Sequence, residues 1–393
     1  MAFEGTPPVV ACVDERLTTT TICLAVGYGA RHDPAGRGGL AHLLEHLLMA
    51  ASTDGGTSFA EHVERLGGYA NAETGLEQML FYARVHADDA DETSRKLLRA
   101  VLTPAWNGDL LRSERSVVLS ELAAAEADDS DVVQDRFLSL LFAGHPLGRP
   151  VGGSCAEVEA LELDAVTAGH RELFRSSPMT VFVTGPRVPA AFTGAPAPAH
   201  DCTAPARPVP PTADRAAPVT WPGKYAWAAI GSRSAGLADP DRHSFELLAH
   251  LLGGSPSSLL YRTLRSERGL AYMFQAWNRS YRETGAWRVL VGVEPGNGDA
   301  VVDTVRTVLE QAAEGLAPED FDAARRQARF SLIVGHEEPI EFVRGMAQRT
   351  CAGTRPWSLD GELAALDTVT PDAVGRAAAH VLGQLTVAVS PEV

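Results

Sequence analysis

Apolar positions along this chain fall into short β-branched runs followed by stretches of helical period, and the succession occurs twice. The run Thr18–Gly27, rich in Thr, Ile, Leu and Val, predicts a strand, and Tyr225–Gly231 is its counterpart in the second half. Each leads through a turn rich in Gly, Asp or Pro into a strongly apolar helix, GLAHLLEHLLMAA at 39–51 and HSFELLAHLLGG at 243–254. A further strand follows in each half, Met79–Val85 and Trp287–Val293, and then long helical segments. This predicts an α+β fold of two similar domains, each an antiparallel sheet packed with helices, rather than a parallel series.

At 393 residues the chain exceeds what a single core organises, which also calls for at least two domains. Ten of its 25 prolines lie between Pro186 and Pro222. Proline removes backbone donors and favours extended chain, so 186–222 is expected to be a linker between domains at 1–185 and 223–393. The 34 basic against 50 acidic residues leave a net charge of −16. That balance argues against a nucleic-acid partner and against docking on an anionic membrane. No apolar run approaches the ~18 residues of a membrane span, and the start MAFEGTPPVV has neither the basic nor the apolar part of a secretory signal. Five scattered cysteines with no C-x-x-C pair suit a reducing, cytoplasmic setting.

The first apolar helix carries His42-Leu43-Leu44-Glu45-His46. Residues four apart on a helix differ by about 40° in azimuth, so both imidazoles leave one face, as two ligands of one tetrahedral zinc must. Glu45 lies close enough to take a proton from a water at that metal. Leu43, Leu44, Leu47 and Leu48 anchor the other faces in the core. With 12 histidines and 50 acidic residues, about 0.05 such matches arise by chance, so the motif is informative without being decisive. A third ligand is required. The stretch Asp109–Glu126 reads as a helix with Asp109 placed to cap it and Leu110, Val117, Val118 and Leu122 on its apolar stripe. Glu114 and Glu121 are two turns apart on one face; taken alone they would be a solvated acidic face.

The order and spacing of these residues resemble the inverted-motif peptidases of the pitrilysin and insulin-degrading enzyme group, which includes the mitochondrial processing peptidases. That group has H-x-x-E-H, then a Glu some 75 residues later and another Glu seven before it. Here His46 and Glu121 are 75 apart and Glu114 precedes Glu121 by seven. The resemblance implies His42, His46 and Glu121 as ligands of one zinc ion per chain, Glu45 as general base, and Glu114 as a carboxylate that orients a ligand histidine. It extends to Gly67-Gly68-Tyr69-Ala70-Asn71-Ala72-Glu73-Thr74, like the group's G-G-x-x-N-A-x-T, where Asn71 and Ala72 would bind substrate. It includes Gly144-His145-Pro146-Leu147-Gly148-Arg149-Pro150, like H-P-L-G-R-P.

The second half lacks the metal motif, and His243 and His250 read as packing or surface histidines. Leu264-Arg265-Ser266-Glu267-Arg268-Gly269-Leu270-Ala271-Tyr272 is similar to the group's R-x-x-R-G-L-A-Y, in which the Arg and Tyr line the catalytic chamber. By that likeness Arg265 and Tyr272 would meet the substrate backbone and the developing oxyanion. The group's G-G-G-x-S-S-R-L appears as Gly253-Gly254-Ser255-Pro256-Ser257-Ser258-Leu259-Leu260, without the third Gly and the Arg. That departure puts in doubt any function needing a very flexible glycine loop. Members of this size close as clamshells of two subunits. Because one chain holds both the zinc set and the Arg/Tyr pair, a homodimer is expected, with a heterodimer as the alternative. The resemblance thus implies a zinc metalloendopeptidase acting on short or unstructured peptides in a closed chamber. Two rivals stand beside it: a protease that processes one leader or precursor peptide, and a non-catalytic assembly subunit, which would ordinarily have lost a ligand or the base.

Overall fold

The computed structural model describes residues 7–53, 56–196, 209, 219–351 and 358–392. Besides a short pair of two-residue strands, Ser52–Thr53 and Thr57–Ser58, its strands are β1 (Val9–Val13), β2 (Thr19–Val26), β3 (Tyr69–Thr74), β4 (Met79–His86), β5 (Met179–Gly185), β6 (Ala226–Ser234), β7 (Phe274–Ser280), β8 (Gly285–Val293) and β9 (Thr386–Ser390). The helices that organise them are α1 (Leu40–Ala50), α2 (Gly108–Glu126), α3 (Asp129–Leu141), α4 (Arg242–Leu252), α5 (Gly298–Glu314), α6 (Pro339–Cys351) and α7 (Pro371–Gly383).

Two sheets follow one plan. The first runs β1-β5-β2-β4-β3 and the second β9-β6-β8-β7. Apart from β1, which joins β5 in parallel, every pairing in both sheets is antiparallel. The fold is therefore α+β, and the strands expected at 18–27, 79–85, 225–231 and 287–293 each lie within two or three residues of a real one.

Strand β2 is buried without a break from Ile22 to Val26, although a strand covered on one face should alternate. Ile22, Leu24 and Val26 point into a core with α1, whereas Cys23 and Ala25 meet Phe342, Val343, Met346 and Ala347 of α6. Helix α6 comes from the far end of the chain. The second sheet is treated likewise: Ala226, Ala228 and Ile230 pack with α4, α5 and α7, while α3 lies on the opposite face. There Arg233 Nε donates to the Leu141 carbonyl at 2.7 Å, and the Arg288 guanidinium stands 5.8 Å from the Phe137 ring centre.

The chain accordingly forms two compact units: one from 1–124, 149–204 and 335–357, the other from 125–148, 205–334 and 358–393. This corrects the contiguous boundaries expected at 1–185 and 223–393. A sheet apolar on both faces needs a second covering helix, and each half donates one, α3 or α6, to the other's sheet. Most of the expected linker at 186–222 lies outside the described residues. Of its ends, Phe192 is buried in the first core, and Trp221 Nε1 donates to Asp299 Oδ1 at 2.9 Å in the second unit.

The start of α1 is fixed by close backbone packing. Gly39 has φ +83°, and a Cβ there would stand 2.3 Å from the Gly152 carbonyl oxygen. Asp33 then holds the first turn: its carboxylate accepts from the Ala41 amide at 3.1 Å and from the Tyr28 hydroxyl at 2.8 Å. Burial pushes the Asp33 carboxyl up to about 7, against the pull of those donors. The ordinary unfolded value is about 3.9, so the folded chain keeps a proton that the unfolded chain loses. That contribution is complete below the unfolded value and is lost as pH rises through the folded one. Denaturant midpoints measured across this range should show wild type losing stability relative to Asp33→Asn as pH rises, even where the variant is less stable throughout.

Candidate metal centre

Helix α1 is clamped by Leu40, Leu43, Leu44, Leu47 and Leu48, all fully buried. That leaves His42 and His46 on its remaining face with ring centres 4.9 Å apart. Helix α2 supplies the carboxylates. Its start differs from expectation: the Asn107 side chain, not Asp109, accepts the amides of Asp109 and Leu110, at 3.0 and 2.9 Å. Its buried stripe is Leu111 and Val118, with Leu110 and Leu122 partly covered, and Val117 faces solvent. Two neighbours on a helix cannot share a face, and Val118 takes the inner one.

His42 Nε2 and His46 Nε2 lie 3.5 and 3.2 Å from the same oxygen, Glu121 Oε2. Ligands at the usual zinc distances on a tetrahedron are separated by about 3.3 Å, so the two imidazole-to-carboxylate separations already match edges of such a site. The group His42, His46 and Glu121 can therefore hold a metal ion. Burial, reinforced by His46 and opposed by Glu121, pulls His42 below the usual imidazole range. On the far side of His46, Nδ1 lies 3.5 Å from Glu114 Oε2. Glu114 is thus beside the second nitrogen of a ligand histidine, not beside the metal position. Gly152 makes room for the cluster, since a Cβ there would stand 2.4 Å from Leu122 Cδ2 and 3.6 Å from His42 Nδ1.

Glu45 sits between the two histidines in sequence and is largely buried. Burial pushes its carboxyl up, a hydrogen bond from Thr74 and the nearby His46 pull it down, and Glu121 and Glu73 push it up again. The donor is the Thr74 hydroxyl, to Oε2. Thr74 ends β3, the edge strand of the first sheet. Along β3, Ala72 turns its methyl into the core. Asn71 lies exposed on the other face, its Oδ1 accepting from the Ala72 amide at 2.9 Å. Sequence reasoning did not single out Thr74. The signal was present: strand alternation from Ala72 turns residue 74 to the same side.

Arg265 and Tyr272 belong to the second unit. The Arg265 guanidinium lies 5.3 Å from the Tyr272 ring centre and 4.9 Å from that of Tyr261, so the expected pair does come together. Tyr272 is 76% exposed and is no core aromatic. His243 is buried with Nδ1 3.0 Å from Glu246 Oε2, a packing histidine.

Residues 9–154 match the profile of insulinase, peptidase family M16, and residues 160–328 match that of the peptidase M16 inactive domain. The chain belongs to peptidase family M16. An uncharacterised zinc protease of Streptomyces coelicolor is 28% identical over 376 residues, which is 91% of this chain and 81% of that protein. Another from Mycobacterium tuberculosis is 28% identical over 374 residues, covering 91% and 85%. Among solved structures, a protease from Helicobacter pylori aligns with a TM-score of 0.84 at 18% identity, covering 99% of this chain and 98% of its own. The M16 profile that covers the second half is named inactive, and that half has no H-x-x-E-H. No helix among the described residues is long and apolar enough to cross a membrane.

Removal of a carboxylate that orients a ligand histidine typically weakens metal binding by about 10–100-fold. Glu114→Gln should therefore lose zinc to a competing chelator at lower chelator concentration than wild type, with unchanged helix content by circular dichroism.

Proposed function

We propose that this M16 chain is a zinc metalloendopeptidase that hydrolyses short or unstructured peptides, with Glu45 as its general base. One observation carries the reading: two imidazoles and a carboxylate converge within reach of one metal ion while a second, held carboxylate stands beside them. Zinc, when bound by His42, His46 and Glu121, supplies Lewis acidity and makes a water acidic enough to lose its proton near neutral pH. Glu45 takes that proton and hands it to the leaving amine nitrogen. Thr74 engages Oε2 of Glu45, which aims Oε1 at the proton. Glu114 keeps the His46 ring turned so that Nε2 points to the metal. An extended peptide would add to the open edge of β3 through main-chain hydrogen bonds, which give affinity with little sequence preference. Retention of all three ligands and the base favours this over a non-catalytic subunit. The chemistry is equally that of a protease dedicated to one leader or precursor peptide, which processing of such a precursor would reveal.

Positioned general bases contribute about 10²–10⁴-fold. Glu45→Gln should lower peptide cleavage by at least about 100-fold while retaining one zinc per chain by elemental analysis. Zinc retained with wild-type cleavage intact would remove Glu45 from the mechanism. Absence of both zinc and cleavage in the wild type would leave the assembly-subunit reading.

The working form we propose is a cytoplasmic homodimer in which the Arg265/Tyr272 pair of one chain serves the metal centre of the other, enclosing the substrate in a chamber. The presence of both sets in one sequence supports it. Mixing inactive Glu45→Gln chains with inactive Arg265→Ala chains should then restore part of the activity, because the mixed dimer contains one complete site. Failure to restore any activity, in chains shown to exchange, would place each site within a single chain.

A further inference from the structure

The second unit contains a cavity of about 370 Å³ between the turn that precedes α4, the first turn of α4 and helix α7. The turn side presents Asp239 and Asp241, and helix α7 presents Arg376 and His380. Arg376 and His380 are four residues apart and so share one face of α7. Among the described residues none of these four side chains is in an ion pair. Asp239 Oδ1 accepts only the Asp241 amide, at 2.9 Å, and His380 meets only the edge of Phe245, ring centres 5.6 Å apart. Opposite charges thus line one cavity without meeting across it.

The inner wall is apolar and carries one unspent polar group. Phe245 and Ala377 are buried there. Ser244 is 3% exposed, lines the same cavity, and its hydroxyl has no hydrogen-bond partner among the described residues. That hydroxyl is left to pair with whatever occupies the cavity, water included.

We propose that this cavity binds a small zwitterion of the amino-acid type. A simple anion would bring its charge to Asp239 and Asp241, and a simple cation would bring its charge to Arg376. A molecule bearing both charges a few bonds apart meets each with its opposite. Its carboxylate takes the Arg376 guanidinium and the His380 ring, its ammonium takes Asp239 and Asp241, and its side chain lies on Phe245 and Ala377. Ser244 then gains a partner near the centre. The volume is at the small end of ligand cavities, which suits one amino acid or a dipeptide rather than a folded peptide.

Calorimetric titration of the full chain with L-leucine, N-acetyl-leucine and leucinamide tests this. L-Leucine should bind saturably, and each singly charged analogue should bind at least about tenfold more weakly, as expected for loss of a charge-assisted hydrogen bond. Arg376→Gln and Asp241→Asn, both at exposed positions that leave folding intact, should each weaken L-leucine binding to a similar degree, whereas Glu45→Gln should not. Absence of saturable binding overturns the proposal. So does binding that the two cavity variants leave unchanged, or binding lost when metal is chelated, which would put the ligand at the metal centre. N-Acetyl-leucine binding as well as L-leucine, with Asp241→Asn silent, would make the cavity a plain anion site and equally overturn it. Each result is read without peptide cleavage, so it stands apart from the fate of the peptidase reading.

Discussion

Backbone passing directly over backbone at the entry to α1 is the constraint on which the candidate metal centre rests. Gly38 and Gly39 lie against Gly152 and Gly153, and a Cβ on Gly153 would stand 2.3 Å from the Gly38 carbonyl carbon. This contact sets where α1 begins and therefore where His42 and His46 point. The same glycines clear the space in which Leu122, and with it Glu121 of α2, approaches the two imidazoles. Donor atoms that must agree to a few tenths of an ångström are thus placed by rigid helices whose mutual approach no side chain obstructs. Asp33 adds the electrostatic half of the device, by accepting amides that the first turn of α1 would otherwise leave unpaired.

What could be read in the sequence follows from which features are local. Strand runs, the two apolar helices and the H-x-x-E-H face depend on periodicity within a few turns, and they were legible. The α2 register was partly so: Val118 and Leu122 belonged to the inner stripe, but Val117 did not, and the cap was Asn107. Ambiguity of one residue is what a stripe two adjacent valines wide must produce. The exchange of α3 and α6 was not legible, because nothing local in a helix states which sheet it covers. The unbroken burial of Ile22 to Val26 was the available clue, since a strand apolar on both faces demands a second covering layer. Thr74 was quoted within its motif yet given no task, because its partner Glu45 lies 29 residues away and only the fold joins them.

The edge strand explains why that bond matters. In β3 the residues facing α1 are small or hydroxylated: Ala72 in the core and Thr74 at Glu45. A bulky side chain at either place would push the strand off α1. The opposite face is tied down separately. Glu73 accepts from Tyr82 Oη at 2.7 Å and pairs with Arg344 of α6 at 2.9 Å. With both faces held by side chains, what β3 offers at the sheet edge is main chain, on which Asn71 Oδ1 already accepts from the Ala72 amide.

The two units solve the same helix differently, and the contrast shows what makes a metal centre. Helix α4 occupies in the second sheet the place of α1 in the first, and it too carries histidines and a glutamate. There the charges are consumed internally: Arg242, 7% exposed, pairs with Glu362 at 2.7 Å and with Glu246 at 3.1 Å, and Glu246 also holds His243. Buried ions need close, complete pairing, and this network provides it without a cation from outside. On α1 no arginine performs that service. His42 and His46 converge instead on the half-exposed Glu121, at separations too long for good hydrogen bonds and right for ligands sharing an ion. A common fold therefore brings a set able to hold a metal together in the first unit, where acidic and imidazole groups converge and, among the described residues, no arginine or lysine is paired with His42, His46 or Glu121.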